Sequence, residues 1–198
     1  MEVFGNLNAA DAPMRGDAQV IASLLAHPHA TASAAPALFR QAASCVPTGV
    51  SVVTCTDERG EVHGITANSF LSVSLDPPTA LVSIRVGRMH TLIARRRRYG
   101  ISVLSERHEI FSRHFSGHAE PTLIPEYTAR SGIPVLSCAI AYFVLDIVSE
   151  VRILDHTLFV GTVVDCGYTH GLPLLFFESR YHQGFLTTAD RADLSGDV

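Results

Sequence analysis

What this sequence lacks narrows the classes of protein it can encode. Its longest apolar runs, such as 101–104 and 172–177, fall far short of the roughly 18 residues that a membrane-spanning helix requires. The Gly-x-Gly-x-x-Gly and Walker patterns are both absent, so we expect no nucleotide held by the usual glycine loops. The N-terminus carries acidic residues early and has no basic start before an apolar core, which predicts no signal peptide and a cytoplasmic location.

The cysteines also lack the spacing of a redox or zinc motif. There are four, with no Cys-x-x-Cys pair among them: Cys45, Cys55, Cys138 and Cys166. Each lies in an apolar stretch. This pattern favours buried free thiols over disulfides or a zinc site.

Charge is scarce, since charged residues make up 17% of the 198 and hydrophobic ones 47%. The length fits one domain with its own core, and the apolar surplus predicts a surface covered by a partner subunit. The net charge of -4 offers no general attraction to nucleic acid or to anionic membranes.

Two basic features need a separate interpretation. Four consecutive arginines at 95–98 go around a helix rather than forming one stripe. They predict a solvated helix end, with nucleic-acid binding and a grip on cofactor phosphates as alternatives. His108, His114 and His118 have a loosely helical spacing without matching carboxylates, so we predict no metal site.

The chain divides by composition into three parts. Residues 1–35 are rich in Ala, Asp, Asn and Pro, which predicts a weakly ordered extension with a short helix near 18–26. Residues 36–185 form the predicted domain, and 186–198 a flexible tail.

Within the domain, strand patterns dominate and few helices separate them. Strands are predicted at 50–56, 62–68, 80–86, 99–104, 139–152, 157–165 and 173–177. Helices are predicted at 36–45, 89–98 and 106–115, the last with Ser105 as its N-cap. The stretch before Pro134 reads as irregular. The order argues against a parallel sheet and for an antiparallel barrel with helices packed outside it.

The most informative segment is 64–78, where small and hydroxylated residues end at Pro77-Pro78. Such a stretch presents backbone N–H groups and short side chains, which suits a flat ring with polar edges. From these residues alone, a Ser/Thr-rich loop without a ligand is the slightly favoured interpretation.

Segment 64–78 resembles the flavin-binding stretch of the flavin reductase family, the small reductase components of two-component flavin monooxygenases. Further stretches resemble the family in the same order along about residues 36–182. They are 80–84, 87–93 with 99–104, 112–117, 155–161 and 173–177.

The resemblance implies a mainly β fold with flanking helices, an antiparallel Greek-key split barrel that forms a homodimer. It also implies FMN, or FAD, in a groove near the subunit interface, and NADH or NADPH as hydride donor. Hydride transfer needs ring stacking rather than a catalytic triad. Reduced flavin would then diffuse to a partner monooxygenase. The alternative on the same fold is an oxidase, a monooxygenase or a non-catalytic cofactor-binding protein.

The resemblance also implies which residues form the cofactor site. They are Thr66, Ala67, Asn68, Ser69, Ser83, Ile84, Arg88, His90, Phe115 and Tyr181. Arg88 at a helix start would meet the flavin phosphate, since a guanidinium and free helix N–H groups together bind anions. Many family members carry Ser and Thr where this chain has Gly87 and Met89, so we expect weak, exchangeable flavin. For Tyr181, packing is a nearly equal alternative.

Asp155 and His156 are the predicted catalytic pair, because the family's Gly-Asp-His triplet at this turn is associated with nicotinamide binding. Here Leu154 replaces the glycine. A histidine near the flavin could hydrogen-bond the carboxamide or support the charge of reduced flavin. The alternative is a plain turn in which Asp155 caps its own backbone.

Overall fold

The computed structural model describes residues 34–183. The predicted helix near 18–26, nearly all of the N-terminal extension and the C-terminal tail lie outside the described residues. No helix within residues 34–183 is long and apolar enough to cross a membrane.

Seven strands form one antiparallel sheet. From edge to edge they are β3 (Val62–Ala67), β2 (Ser51–Thr56), β6 (Arg98–Val103), β9 (Ala141–Ile153), β10 (His156–Tyr168), β5 (Pro78–Arg85) and β4 (Leu71–Leu75). A small sheet joins β1 (Thr48–Gly49), β11 (Leu175–Phe177) and β12 (Arg180–His182), and β7 (Tyr127–Arg130) pairs with β8 (Ile133–Leu136). The helices are α1 (Pro36–Ser44), α2 (Arg88–Arg96) and α3 (Glu109–Phe115), with a 3-10 turn at Glu106–His108.

The core lies on the strands at the centre of this sheet. The β-branched β2 is buried at five of its six residues, while β5 alternates between buried and more exposed positions, as a strand with one face on the core does. Tyr99 is fully buried, and its hydroxyl donates a hydrogen bond to the Phe159 carbonyl at 2.9 Å. Burial raises the pKa of Tyr99, so this hydroxyl stays a donor.

The long β9–β10 hairpin carries the predicted Asp-His turn at its tip. Leu154 adopts φ 53°, the left-handed conformation that glycine takes most readily. The turn therefore keeps the geometry of a glycine turn even though leucine occupies it, at some conformational cost.

The prediction of a mainly β, antiparallel fold with outer helices is confirmed. The prediction of an irregular stretch before Pro134 is confirmed for 116–126 but was wrong from Tyr127 onward, where β7 and β8 form a hairpin. Ser105 does lie at the N-cap position, but of a 3-10 turn at Glu106–His108 rather than of α3. Its side chain makes no cap bond and instead lies 2.8 Å from His108 Nδ1, at the start of the 3-10 turn that precedes α3.

The arginine run is not one helix end. Helix α2 stops at Arg96, Arg97 turns the chain in the left-handed conformation, and Arg98 begins β6. Arg98 pairs with Asp146 across the sheet, with Nη2 to Oδ2 at 2.6 Å. The run thus changes element in its middle, which a helical pattern could not predict.

The four cysteines are free, as predicted, but only Cys55 is buried. Cys138 is half-buried. Cys45 and Cys166 are exposed, so the prediction of burial was wrong for them. Cys166 lies on β10, where successive residues alternate between faces of the sheet.

Candidate functional site

A groove of about 570 Å³ opens where β3, the end of β5, the start of α2 and the end of α3 meet. Its lining mixes charged and polar side chains with apolar ones. The residues are His63, Gly64, Ile65, Thr66, Arg85, Val86, Gly87, Arg88, Met89, Phe115, Ser116 and Gly117. A smaller hollow of about 200 Å³ shares Thr66 and Ser116 with it and adds Val50, Asn68, Ser112, Phe176 and Tyr181. The two hollows adjoin at Thr66 and Ser116. We call the part that holds Arg88 the charged end and the part that holds Tyr181 the neutral end.

Close packing of α3 on β3 forms the wall of the groove. A Cβ on Gly64 would lie 2.7 Å from two ring carbons of Phe115, so only glycine lets this ring pack against the strand. Two residues further along, the Thr66 hydroxyl donates to the Ser112 carbonyl at 2.7 Å. The wall is therefore set by one glycine and one hydrogen bond.

The neutral end centres on Ser112, whose side chain is fully buried. Its hydroxyl lies 2.9 Å from the Tyr181 hydroxyl, and either group can donate. The Arg113 guanidinium lies 5.3 Å from the centroid of the Tyr181 ring. Tyr181 is thereby held by a hydrogen bond at its tip and by a cation–π contact on its ring.

The charged end is built on the first turn of α2. Arg88 is the first helical residue, and Gly87 before it provides no side-chain cap. The first N–H groups of a helix have no partner within the helix, and together they favour an anion. Arg88 adds a guanidinium at this position, which makes the turn an anion site of the kind that phosphates occupy.

Arg88 is held by a histidine. Arg88 Nη2 lies 3.0 Å from His63 Nε2, and His63 Nε2 also lies 3.0 Å from Asp57 Oδ2. Asp57 is fixed by its own turn, because Oδ1 accepts the N–H groups of Arg59 at 2.9 Å and of Glu61 at 3.0 Å. The hydrogen bond to His63, followed by these backbone bonds, holds the pKa of Asp57 below its usual range.

Asp57, Glu61 and His63 also place their possible ligand atoms within 4.8 Å of one another. The Arg88 guanidinium, 3.0 Å from the histidine nitrogen, repels a cation at this position. The arrangement suits an anion in the groove better than a metal in the cluster.

The Asp155–His156 turn lies beside the groove and is tied to it. His156 Nδ1 lies 2.9 Å from Asp155 Oδ1, and Asp155 Oδ2 lies 3.2 Å from Nε of Arg85, which lines the groove. The Val86 N–H donates to the Asp155 carbonyl at 2.8 Å. The hydrogen bond to His156 is the main cause that holds the pKa of Asp155 below its usual range.

The predicted cofactor residues fall into two groups. Thr66, Asn68, Arg88, Phe115 and Tyr181 line the groove or its smaller hollow. The structure places the other five, together with Asp155 and His156, outside that lining.

The five predicted cofactor residues outside the lining take part in hydrogen bonds or core packing instead. The Ser69 hydroxyl donates to the Ser83 carbonyl at 3.0 Å and accepts the Ser83 N–H at 3.1 Å. His90 Nε2 lies 2.8 Å from the Thr157 hydroxyl. Ala67 and Ile84 are buried in the core. These contacts hold the strands behind the groove together.

Sequence reasoning missed several residues at the site, namely His63, Arg85, Ser112, Ser116 and Phe176. Nothing in their local patterns distinguishes them from ordinary strand and helix positions. Ser112, Ser116 and Phe176 fell inside stretches already singled out, 112–117 and 173–177, without being picked out there.

Comparison with known proteins identifies the family to which this chain belongs. The family described as "Flavin reductase like domain" matches residues 43–184. The chain belongs to the flavin reductase family. The match takes in every residue that lines the groove and its smaller hollow.

Relatives of this flavin reductase are similar over most of their length. The NADH-dependent flavin reductase StyB of Pseudomonas fluorescens is 47% identical over 148 residues, which is 73% of this chain and 87% of the relative. An NADH-dependent flavin reductase of Rhodococcus sp is 40% identical over 150 residues, 74% of this chain and 85% of the relative.

Among solved structures, the styrene monooxygenase flavin reductase of Pseudomonas putida matches with a TM-score of 0.72 at 46% identity. The match covers 75% of this chain and 98% of that one. The predictions of the family, of its split-barrel fold and of an oxidoreductase are therefore confirmed.

Proposed function

We propose that this flavin reductase transfers a hydride from NADH to FMN, with FAD as a second acceptor, and releases reduced flavin to a partner monooxygenase in the cytoplasm. The observation that carries the proposal is the groove, which joins an uncapped helix start with Arg88 to the strand end at Thr66 and Asn68. The relatives described above are named for NADH-dependent flavin reduction, and one solved relative for a styrene monooxygenase system.

The residues of the groove fit a flavin phosphate. Arg88 and the first N–H groups of α2 would hold the phosphate, while Thr66 and Asn68 would contact the ring edge. The flavin, when bound, supplies N5 as the hydride acceptor. Phe115 forms part of one wall of the groove and would shield a bound ring from water.

Asp155 and His156 are proposed to act on the nicotinamide. The Asp155 carboxylate lies at Nδ1 of the ring, which fixes the orientation of His156 and leaves Nε2 to face a carboxamide or a developing charge. Arg85 connects this turn to the groove through its contact with Asp155.

A homodimer is part of the proposal, and β4 supports it. This strand lies at one edge of the seven-stranded sheet, and all five of its residues are exposed. Leu71, Val73 and Leu75 are 57%, 53% and 80% exposed. An exposed apolar edge strand invites pairing with another chain, and a second copy would cover it.

The dimer is tested by light scattering. We expect a mass of twice the 21.4 kDa chain mass, and a shift toward the monomer in Val73→Lys but not in the exposed control Ile124→Lys. A monomeric native protein would contradict the proposal.

The activity is tested by following NADH oxidation with FMN, FAD, riboflavin or no flavin added. We expect oxidation that depends on the flavin, with NADPH as the comparison donor. Flavin binding without any nicotinamide oxidation would favour the alternative, an oxidase, a monooxygenase or a cofactor-binding protein. The absence of both binding and oxidation would exclude the proposed function.

Reduced flavin must also leave the protein for the proposed pathway to work. We expect the reduced product in the filtrate after rapid ultrafiltration under anaerobic conditions. Retention of all reduced flavin with the protein would contradict the transfer of free flavin to a monooxygenase.

A further inference from the structure

His63 makes two contacts through one atom, and these contacts exclude one another. Nε2 lies 3.0 Å from Nη2 of Arg88, which can only donate, and 3.0 Å from Oδ2 of Asp57. The Asp57 pKa is held low, so this carboxylate acts as an acceptor. A ring nitrogen either offers a lone pair or carries a proton, and it can therefore bind only one of the two at a time.

The two possible bonds define two arrangements of the charged end. With a lone pair on Nε2 and the proton on Nδ1, His63 accepts from Arg88 and fixes the guanidinium beside the groove. With a proton on Nε2, His63 donates to Asp57, and the Nη2 donors of Arg88 are left for an anion. Asp57 needs no rearrangement for this exchange, because its turn already holds Oδ1.

We propose that His63 is a positioning residue for the flavin phosphate. In the free protein, His63 accepts a hydrogen bond from Arg88 at Nε2. When the phosphate binds Arg88, His63 takes up one proton and donates a hydrogen bond from Nε2 to Asp57. The ring then carries N–H on both nitrogens, and the proton comes from solvent. The inference rests on the proposed function, since it takes the bound anion to be the phosphate of FMN.

The charges around His63 support this exchange. Asp57 and Glu61 face it from the β2–β3 turn and Arg88 faces it from α2. Arg85 at the end of β5 lines the same groove, and Cys55 is the residue opposite His63 on β2. The end of α3 contributes Phe115, Ser116 and Gly117, none of which is ionisable. A phosphate in the groove adds negative charge to this set, which favours a proton on His63.

The first test compares FMN with riboflavin, which has the same ring and no phosphate. In His63→Ala, the free protein loses the bond to Arg88, and the complex loses the protonated ring beside the phosphate with its bond to Asp57. Because only the complex has the added positive charge, we expect the FMN dissociation constant to rise about two- to tenfold, the scale of one net hydrogen bond. The riboflavin constant is expected to stay unchanged. Fluorescence quenching of the flavin measures both, and His170→Ala, an exposed histidine outside the groove, is the matched control.

The second test measures the proton directly. Titration calorimetry of FMN in buffers with different ionisation enthalpies, at one mildly alkaline pH where the phosphate is fully ionised, gives the net protons taken up. We expect uptake with FMN and none with riboflavin. In His63→Gln, the side-chain amide can accept from Arg88 and donate to Asp57 together, so we expect FMN binding to persist without proton uptake.

Two results would overturn the inference: an equal loss of FMN and riboflavin affinity in His63→Ala, or the same proton uptake in the native protein and in His63→Gln. If His63→Ala fails to fold, the calorimetry of His63→Gln decides alone. Failure of the native protein to bind either flavin would overturn the proposed function as well. Normal NADH oxidation with no difference in proton uptake would overturn only the role of His63.

Discussion

The two ends of the groove are built from different chemistry. At the charged end, Arg88, His63 and Asp57 come from a helix start, a strand and a turn, and Arg88 is exposed. At the neutral end, the buried Ser112 hydroxyl meets the Tyr181 hydroxyl on the last strand. In the proposed function, the charged end would recognise the flavin phosphate and rearrange, whereas the hydrogen bond at the neutral end fixes the position of Tyr181.

The largest expected effect comes from breaking the wall that both ends share. Gly64→Ala places a Cβ 2.7 Å from the Phe115 ring, so the helix or the strand must shift. We expect a loss of about 1–3 kcal/mol in the free energy of unfolding, as for overpacked cores. The affinities for FMN and riboflavin should fall together. Denaturant unfolding and fluorescence titration measure these quantities.

Gly49→Ala is the matched control for this change, because nothing lies within 4 Å of a Cβ at that position. If Gly64→Ala left stability and both affinities unchanged, the wall would not depend on this close contact.

Arg88→Ala separates the two ends most clearly. Removing the guanidinium should raise the FMN dissociation constant about 10- to 100-fold, the range for a hydrogen bond to a charged group. Riboflavin affinity should not change, and the dependence of FMN binding on salt should weaken. Arg95→Ala, an exposed arginine outside the groove, is the control. An equal loss for riboflavin would show that Arg88 does not bind the phosphate.

Ser112→Ala acts on the neutral end. It leaves the Tyr181 hydroxyl without its partner, and we expect a loss of about 1 kcal/mol in the free energy of unfolding. FMN and riboflavin affinities should change by the same factor at every salt concentration. The double variant Ser112→Ala with Tyr181→Phe should cost less than the sum of the single changes, since both remove one hydrogen bond. Additive losses would argue against this bond.

The smallest effect concerns pH at the charged end. The pKa of Asp57 is lower in the folded protein than in the unfolded chain, so its stabilising contribution is present above the unfolded value and is lost as the pH falls through the folded one. Below a pH of about 4, the difference in unfolding free energy between the native protein and Asp57→Asn should therefore shrink. A constant difference across this range would show that the His63–Asp57 bond contributes nothing to folding.

The pKa of Asp155, beside the groove, is also lowered, mainly by its hydrogen bond to His156. Its contribution to stability is therefore also lost as the pH falls. Asp155→Asn is therefore a useful comparison for Asp57→Asn, because it changes a second, more exposed His–Asp pair, for which the structure shows no contact with Arg88.

Much of the fold could be predicted from local patterns. The β-branched run of β2, the turn after it and the resumed strand β3 form a hairpin as expected. The start of α2 at Arg88, one residue before the predicted 89, was also close. The missed β7–β8 hairpin has no clear alternation to mark it, and its strands are held mainly by the core residues Ile133, Val135 and Leu136.

The site was predicted only in part. Thr66, Asn68 and Arg88 lie in the groove and belong to stretches with a recognisable family pattern. The Ser69 hydroxyl, in the same segment as Thr66 and Asn68, instead bonds to the backbone N–H and carbonyl of Ser83. A run of similar small polar residues does not reveal which of them face the groove, because that depends on how each strand is twisted and covered.

Periodicity and motif order along the chain were enough to predict the strand-rich antiparallel class, a helix near 89–98 and the flavin reductase resemblance. Only the tertiary structure decided that His63 stands between Asp57 and Arg88, and that Ser112 meets Tyr181 across 69 residues. The reason is physical: local backbone preferences act over a few residues, whereas contacts between distant side chains depend on strand register and on the packing of helices against the sheet.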